Sequence, residues 1–405
     1  MRTRPLFYEE PDIFECDATV LEVLPPLKPG DGAGLILDRS PFYPEGGGQP
    51  CDLGSVAGIP LARVAYEGDD IVHRRSAEAV PGGASGSAAL PAAGALVPCM
   101  LDAARRRDHT EQHSAQHLLS ATVLRLLGGA TRSFHLGEEY SSIDVDLPAM
   151  ERDDADAVEA AVLDVLREGY AVITHLCPPE DPARFPLRRK PPEGESILRI
   201  LEIDGLDYTP CAGTHVKNTR ELGAFRILRT EKYKGMTRVY FLAGGRAHAD
   251  YARAARQLRD AAAAAGTNEG DVARWAGDAA RRAKDLEYRL KQAREALARA
   301  EAQALAASST GGPIGITLEG EDFSLAMLKA KACADAGLVA AVASVPELKA
   351  AIAAPGGGVN LQSTLKDTLA AHGGKGGGSA AFFQAAFADR ERLDAFMEEA
   401  LCRLR

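Results

Sequence analysis

The chain has 405 residues, 46% of them hydrophobic and 26% charged, and carries a formal net charge of −10 at pH 7. Such a composition can bury a sizeable core, and roughly 100–200 residues per domain predicts two to four domains. The negative charge argues against broad nucleic-acid binding, so any RNA contact must come from local basic patches. No stretch is apolar enough to span a bilayer, and seven scattered cysteines indicate a reduced, cytoplasmic protein without a membrane partner.

Residues 1–100 contain short β-type runs that are interrupted by proline and glycine clusters. The clearest runs are Asp17–Leu24, Gly34–Asp38 and Leu61–Tyr66. Short strands with this punctuation are typical of a small barrel or sandwich. We predict a small N-terminal β-barrel domain.

Residues 101–245 predict an α+β domain. From Asp102 the pattern becomes helical, and an amphipathic stripe is formed by Leu119, Val123, Leu126 and Leu127. A second helix is predicted over Asp154–Arg167. Strands are predicted around Ile197–Ile203 and within Ala224–Phe241.

Residues 246–310 predict a long helical or coiled-coil arm, interrupted once near Gly266. Its imperfect apolar seam consists of Trp275, Ala279, Leu286, Leu290 and Leu297. Residues 311–405 alternate short strands with helices and predict a small α/β domain. The whole chain is therefore expected to be a multidomain α+β protein.

Two residue pairs predict a metal site. His113 and His117 are four apart in a helical pattern, so both imidazoles project from one face, although such a pair is common by itself. No Glu follows His113, which excludes the metalloprotease form of the motif. Cys211 and His215 are also four apart, around Gly213. One thiolate with three imidazoles is the nitrogen and sulfur ligand set of zinc, and we predict one zinc ion per chain.

The residues around these pairs resemble a known family. His113-Ser-Ala-Gln-His-Leu-Leu and Cys211-Ala-Gly-Thr-His-Val look like the paired motifs of alanyl-tRNA synthetase editing domains. They resemble the free-standing AlaX proteins, which are trans-editing alanyl-tRNA deacylases, even more closely. The Ser40–Gly54 segment resembles the family's glycine-rich motif. The Gly373–Gly378 segment is similar to the DHH-associated domain of the synthetases and of the long AlaX form.

This resemblance implies an aminoacyl-tRNA deacylase that works on its own, since the barrel begins within the first residues. It would hydrolyse the ester between a wrong amino acid, serine or glycine, and the 3′ ribose of alanine tRNA. Zinc would activate water or polarise the carbonyl. Four protein ligands, however, make the closed tetrahedral site that is typical of structural zinc, so both roles stay open.

The resemblance also implies substrate-pocket residues. Gln116 lies in the same helical turn as the histidine ligands, and His135 follows that helix. The glycine-rich loop would discriminate serine from alanine, with Ser40 or Gln49 binding the serine hydroxyl. The glycines of this loop permit a close backbone approach, and they are Gly46, Gly47 and Gly48.

Basic residues in two places are candidates for contact with the mischarged tRNA. Arg105 and Arg106 precede the ligand helix. The others lie on the strand pair after Cys211, and they are Arg229, Lys232, Lys234 and Arg238. Phosphate contacts of this kind position a nucleic acid without reading its sequence. The helical arm or the C-terminal domain could form a homodimer, and the Gly373–Gly378 loop could bind phosphates but lacks the Walker spacing.

Two other functions remain open from the sequence. A threonyl-type editing hydrolase also uses two histidines with a later Cys and His, although the Cys-Ala-Gly-Thr-His form favours the alanyl type. A zinc-stabilised tRNA-binding or dimerisation module without activity is the second alternative. The intact ligand set and glycine loop argue against such a loss of activity.

Overall fold

The computed structural model describes residues 2–27, 32–75, 90–178, 181–192, 197–309 and 311–405. The chain divides into two compact units, Met1–Leu258 and Arg259–Arg405. Both contain helices and sheets, which confirms the mixed, multidomain fold class. The finer division at residues 100, 245 and 310 stays a prediction.

The first part of the first unit is a β-barrel. Six antiparallel strands close in the order β2-β3-β7-β6-β5-β8 around a core that includes Phe7, Leu37, Phe42 and Ile71. A parallel bridge joins β1 to β4 beside the barrel. In chain order the elements are β1 (Arg4–Pro5), α1 (Leu6–Glu9), β2 (Glu15–Leu24), β3 (Gly34–Leu37), β4 (Arg39–Ser40), β5 (Gly54–Val56), β6 (Ile59–Glu67), β7 (Asp70–Arg75) and β8 (Leu96–Leu101).

The rest of the first unit is the predicted α+β region. One antiparallel sheet has the order β14-β15-β10-β9, and a second has the order β11-β12-β13. Two 3₁₀ turns lie at Pro182–Arg184 and Thr219–Leu222. The other elements are α2 (Ala103–Leu127), β9 (Thr131–Leu136), β10 (Ser141–Val145), α3 (Arg152–Glu168), β11 (Val172–Cys177), β12 (Leu198–Ile203), β13 (Asp207–Pro210), β14 (Phe225–Tyr233) and β15 (Met236–Ala243).

Helix α2 has clear start and stop signals. The side chain of Asp102 accepts a hydrogen bond from the amide of Arg105, and the helix ends at Gly128 in a left-handed conformation. Leu119 and Val123 of the predicted stripe are fully buried in the core between α2, α3 and the sheet. In the last turn Leu127 is partly buried against this core, whereas Leu126 is exposed.

Helix α4 (Gly244–Ala265) begins in the first unit and ends within the second. The second unit contains one five-stranded sheet, ordered β16-β17-β18-β20-β19, with helices on both faces. A 3₁₀ turn at Glu269–Asp271 precedes α5 (Val272–Ser308), β16 (Ile314–Leu318), α6 (Phe323–Asp335), β17 (Ala340–Ser344), β18 (Lys349–Ala353), α7 (Leu361–Ala371), β19 (Lys375–Gly378), β20 (Phe382–Ala386) and α8 (Arg390–Arg403).

The long helix α5 corresponds to much of the predicted arm. Near its C-terminal end Ala298 and Ala302 are buried against residues of the second unit's sheet and α6. Trp275, Leu286 and Leu290 of the predicted seam are exposed. Among the described residues, none of the helices combines the length and apolarity needed to cross a membrane.

Candidate metal centre

Four side chains from distant parts of the first unit meet at one point. Helix α2 supplies His113 and His117, and the loop after β13 supplies Cys211 and His215. The Cys211 Sγ atom lies 3.4 Å from Nε2 of His113 and 3.3 Å from Nε2 of both His117 and His215. A tetrahedral zinc ion with ordinary bond lengths would separate such sulfur and nitrogen atoms by about 3.5 Å. The cluster can therefore hold a metal ion.

Burial prepares these side chains to bind a cation. Desolvation lowers the pKa of His113 to about 3 and holds the pKa values of His117 and His215 well below the ordinary value. All three imidazoles are therefore neutral at pH 7, with a lone pair free for a metal. Burial raises the pKa of the Cys211 thiol, so this residue releases its proton when a metal binds.

A tight backbone turn places Cys211 and His215 together. The amide of Gly213 donates a hydrogen bond to the Cys211 sulfur, at 3.4 Å. A Cβ atom at position 213 would lie 2.2 Å from the ring of His113, so only glycine fits at this position. Arg199 donates hydrogen bonds to the carbonyl oxygens of Cys211 and Gly213 and fixes the loop from behind.

Each imidazole has a neighbour at its second ring nitrogen. His113 Nδ1 lies 2.8 Å from Gln49 Oε1, so it carries the hydrogen and leaves Nε2 free for the metal. His215 Nδ1 lies 3.4 Å from Ser114 Oγ. His117 Nδ1 lies 3.5 Å from Arg188 Nη2 and 4.0 Å from Asp207 Oδ2. These contacts orient all three rings toward Cys211.

Gln49 joins three separate parts of the first unit. Besides accepting from His113, its Oε1 accepts from the Thr214 amide at 3.2 Å, and its Nε2 donates to Thr214 Oγ1 at 2.9 Å. The side chain is buried and both ends of its amide are occupied. The predicted hydrogen bond from Gln49 to a substrate hydroxyl would require these contacts to break.

A cavity of about 350 Å³ opens beside the metal cluster. His113, His117 and Cys211 line it, whereas His215 is not part of its wall. Gln116 also lines it, with its Nε2 donating to Ser120. Phe134 contributes an apolar wall and stacks on the His113 ring at 5.3 Å between centroids. A small polar ligand in this cavity would lie next to the metal.

The glycine-rich loop forms one rim of this cavity. Gly46 and Gln49 exchange two backbone hydrogen bonds, and Gly47 and Gly48 between them have φ values of +58° and +86°. These values are those of a two-residue turn of type I′. A Cβ at position 48 would lie 3.0 Å from the Phe134 ring, so the turn approaches the cavity wall closely.

Two predicted pocket residues lie elsewhere. Ser40 is fully buried in the barrel, where its hydroxyl lies 2.7 Å from His73 Nε2. It does not line the cavity. His135 alternates with Phe134 along β9, so it lies on the opposite face of the sheet, is exposed, and pairs with Ser142 of β10. The alternation of side chains along a strand explains this outcome.

The predicted tRNA contact at Arg106 is wrong. This side chain is 1% exposed, and its Nε donates to Asp52 Oδ2 at 2.9 Å. Further hydrogen bonds bind it to the carbonyl oxygens of Pro11 and Pro41. Arg106 thus joins helix α2 to the barrel and cannot reach a phosphate. Its neighbour Arg105 is only half-buried.

The four other basic candidates lie on β14, β15 and the turn between them. Arg229 is exposed and stacks over the Tyr240 ring at 3.7 Å. Lys232 and Lys234 are exposed as well. Arg238 forms a two-pronged ion pair with Asp144, with distances of 2.6 and 2.9 Å, and is half-buried. Its charge is already neutralised within the protein.

Arg188 and Arg189 both line the cavity, although neither was predicted as a site residue from the sequence. Arg188 pairs with Asp207 at 2.7 Å, whereas the exposed Arg189 donates to the Pro210 carbonyl oxygen at 2.6 Å. The signal that could have identified them is the basic run Arg188-Arg189-Lys190 between two prolines. Such a run on a loop is a local positive patch in an acidic chain.

Comparison with known proteins gives consistent relatives. Residues 198–240 match the family model described as the threonyl and alanyl tRNA synthetase second additional domain. Alanyl-tRNA editing protein Aarsd1 of Danio rerio is 36% identical over 218 residues, which are 53% of this chain and 50% of the relative. Alanyl-tRNA editing protein AlaX-L of Pyrococcus horikoshii is 32% identical over 247 residues, 60% of this chain and 58% of the relative.

An alanine–tRNA ligase of Korarchaeum cryptofilum is 31% identical over 281 residues, which cover 67% of this chain but 29% of the ligase. The chain therefore spans about half the length of the editing proteins it matches. The matched family region includes Cys211 and His215. Together with the motifs around His113 and His117, these matches show that the chain is similar to AlaX-type alanyl-tRNA editing proteins.

Proposed function

We propose that this protein is an aminoacyl-tRNA deacylase, which hydrolyses the ester between serine or glycine and the 3′ ribose of alanine tRNA, in trans. The observation that carries the proposal is the cavity beside the cluster, which His113, His117 and Cys211 line. Its volume of about 350 Å³ is at the lower end of the range for small-molecule pockets and suits an amino acid with part of a ribose. The names of the relatives support the same reaction.

Zinc is the metal that this ligand set favours, one ion per chain on His113, His117, Cys211 and His215. Three neutral imidazoles and a thiol within 4.8 Å of one another are suitable nitrogen and sulfur donors. When bound, the ion would polarise the ester carbonyl or lower the pKa of a water molecule beside it.

The chain's own groups would position the ester. Gly47 and Gly48 line the cavity, and their backbone amides would donate hydrogen bonds to the developing oxyanion. Gln116 lies in the wall, where its amide would bind the amino acid. Phe134 would exclude water from one side. Gln49 acts through His113 as a positioning residue rather than as a substrate ligand.

The tRNA would be held by basic side chains around the cavity and on the neighbouring sheet. Arg189 lines the cavity itself and has no carboxylate partner among the described residues. Arg229, Lys232 and Lys234 are exposed, and they would contact the phosphate backbone. Arg238 would contribute less, because Asp144 already pairs with it.

A deacylation panel tests this function. Seryl, glycyl and alanyl esters of alanine tRNA, and a seryl ester of threonine tRNA, are incubated with the chain before and after treatment with a zinc chelator. We expect rapid hydrolysis of the seryl or glycyl ester of alanine tRNA and slow hydrolysis of the alanyl ester. Chelation should abolish this activity, and added zinc should restore it. Full activity of a zinc-free, folded chain would exclude a role for zinc in the reaction.

The same panel separates the two alternatives. The matched family description includes both the threonyl and the alanyl synthetases, so a threonyl-type hydrolase is the first alternative. Such an enzyme would act on the seryl ester of threonine tRNA instead. An inactive zinc-stabilised module would bind tRNA and leave every ester intact. A homodimer through the exposed apolar seam of α5 is a separate proposal, which sedimentation of wild type and of Leu286→Glu would test.

A further inference from the structure

A second cavity, of about 410 Å³, lies in the first unit and is not explained by the reaction above. Its wall combines apolar groups with charged and polar ones. The lining residues include Pro50, Arg105, Asp108, His109, Glu138 and Arg246. Its volume suits a ligand considerably larger than an ion.

The two cavities lie side by side along the same three elements. In the glycine-rich loop, Gly47 and Gly48 line the cavity beside the metal cluster, and Pro50 lines the second cavity. In β9 and the turn after it, Phe134 lines the cavity beside the metal cluster, and Gly137 lines the second cavity. Along α2 the second cavity begins one turn, about 6 Å, before His113. An extended single-stranded nucleic acid could therefore occupy both cavities.

His109 is the unusual residue of this wall. Its side chain is 4% exposed, and its buried Nδ1 atom has no hydrogen-bond partner in the described part of the chain. Buried polar atoms are nearly always paired, and the Nδ1 atom of His109, a residue that lines the second cavity, is an exception among the described residues. Burial, with the Arg105 charge second, lowers the pKa of His109 to about 4. The ring at pH 7 is thus neutral, with one donor and one acceptor.

Arg105 is the cation that this cavity leaves available. Arg246 is committed, since it forms two 2.6 Å bonds with Asp108 and also donates to the Gly137 carbonyl oxygen. Arg105 uses only its Nε in a described hydrogen bond, to the Cys51 carbonyl oxygen at 3.0 Å. Its terminal nitrogens can bind an anion. Glu138 is exposed on the hairpin turn, where solvent screens its charge.

We propose that the second cavity binds the nucleotide that precedes the aminoacylated one at the single-stranded 3′ end of the tRNA. Arg105 binds a phosphate of that nucleotide, and His109 forms a hydrogen bond with its sugar or base. Pro50 and Leu136 pack against the apolar parts of the nucleotide. This inference rests on the proposed function, because it takes the ester to occupy the neighbouring cavity.

Binding of an acceptor-stem hairpin of alanine tRNA, with a free 3′ hydroxyl, tests the phosphate contact. Affinity is measured by fluorescence anisotropy with wild type, Arg105→Gln and the matched control Arg107→Gln, which removes the same charge from an exposed position of the same helix. Each phosphate of the single-stranded end is replaced in turn by a neutral methylphosphonate. We expect Arg105→Gln to weaken binding about ten-fold and Arg107→Gln less than two-fold.

One neutral linkage should weaken wild-type binding about ten-fold and leave Arg105→Gln nearly unaffected, because its partner is already gone. The proposal is overturned if no linkage distinguishes the two proteins. Destabilisation of the Arg105→Gln variant could not produce this result, because a merely destabilised variant would respond to the modified RNA as wild type does.

His109→Phe tests the second contact. Phenylalanine keeps the ring, and no hydrogen bond to the described protein is lost, so we expect an unchanged or higher melting temperature together with at least five-fold weaker hairpin binding. Unchanged binding would overturn the role of His109. The hairpin carries no ester, so a chain that binds in this way without hydrolysing esters contradicts the proposed function and not this inference. If the wild-type chain hydrolyses the esters but neither Arg105→Gln nor His109→Phe weakens hairpin binding, this inference alone is contradicted.

Discussion

At the residue scale, Gly213 occupies the point where the cysteine loop meets the histidine helix. A Cβ here would lie 2.2 and 2.3 Å from ring atoms of His113 and 2.9 Å from Gln49 Oε1. His113 cannot move without leaving the metal cluster, and Gln49 cannot move without losing its hydrogen bond to His113. We predict that Gly213→Ala loses most of its bound metal, measured as zinc per chain by mass spectrometry.

The matched control for Gly213→Ala is Gly46→Ala. Position 46 has no positive φ, and the nearest atom to an added Cβ is the Tyr43 hydroxyl at 3.6 Å. This variant should keep about one zinc per chain. A full complement of zinc in Gly213→Ala would show that the loop can shift, and would contradict the tight approach described above.

The contacts of Gln49 favour a different role from the one that the sequence suggested. Because its amide holds both His113 and Thr214, truncation should loosen the metal centre rather than alter the choice of amino acid. We predict that Gln49→Ala lowers zinc affinity about 10- to 100-fold and leaves the ratio of serine to alanine deacylation unchanged at saturating zinc. Competition with a chromogenic chelator gives the affinity, and a changed ratio at saturating zinc would contradict this prediction.

These residues mark the limit of prediction from sequence at this scale. The two pairs spaced four apart predicted the four side chains that meet, because that spacing places two side chains on one face or across one turn. The partner of His113 lies 64 residues away, and the partner of Gln49 lies 165 residues away. A local sequence pattern does not predict contacts between residues so far apart. The side chains that surround the metal cluster could therefore be identified only from the structure.

At the element scale, helix α2 is attached to the barrel through Arg106. The carboxylate of Asp52 accepts from this guanidinium and from the Tyr43 amide, in a region that water does not reach. Removing one member of a buried ion pair strands the other charge, at a cost of about 3–5 kcal/mol. We predict a loss of this size for Arg106→Ala in the free energy of unfolding, measured by urea titration with circular dichroism.

Arg107→Ala is the control for that measurement. Arg107 is exposed and lies over the Phe14 ring at 5.0 Å, so its removal should change the free energy of unfolding by less than about 1 kcal/mol. Equal effects of the two variants would mean that the buried pair contributes little to the attachment of the helix.

The helical period explains why one arginine of the basic run is buried. Arg106, His109, His113 and His117 follow one another at spacings of three or four and share the inward face of α2, whereas Arg107 lies outside it. The sequence predicted where this helix begins and, except for Leu126, the apolar stripe near its C-terminal end. It did not distinguish the arginines, because a buried guanidinium needs a carboxylate that only the barrel, 54 residues earlier, supplies.

At the scale of the whole molecule, the acidic chain of net charge −10 places neutral histidines in its interior. His73 of the barrel and His109 of α2 both have their pKa lowered to about 4 by burial. His73 has partners on both ring nitrogens, in Ser40 and the Leu35 carbonyl oxygen. His109 lacks such partners among the described residues, so it can be replaced with less disturbance of the fold.

Burial of these histidines predicts how stability depends on pH. Between pH 6.5 and about 4 the unfolded chain holds protons on them that the folded chain does not, so the free energy of unfolding falls as the pH is lowered. Each histidine contributes up to about 1.4 kcal/mol per pH unit in that interval. Urea titrations at pH 7.5, 6 and 5 should show this decline, and His109→Phe should reduce its slope by about one proton. An unchanged slope in that variant would mean that water reaches His109 and keeps it titrating normally in the folded chain.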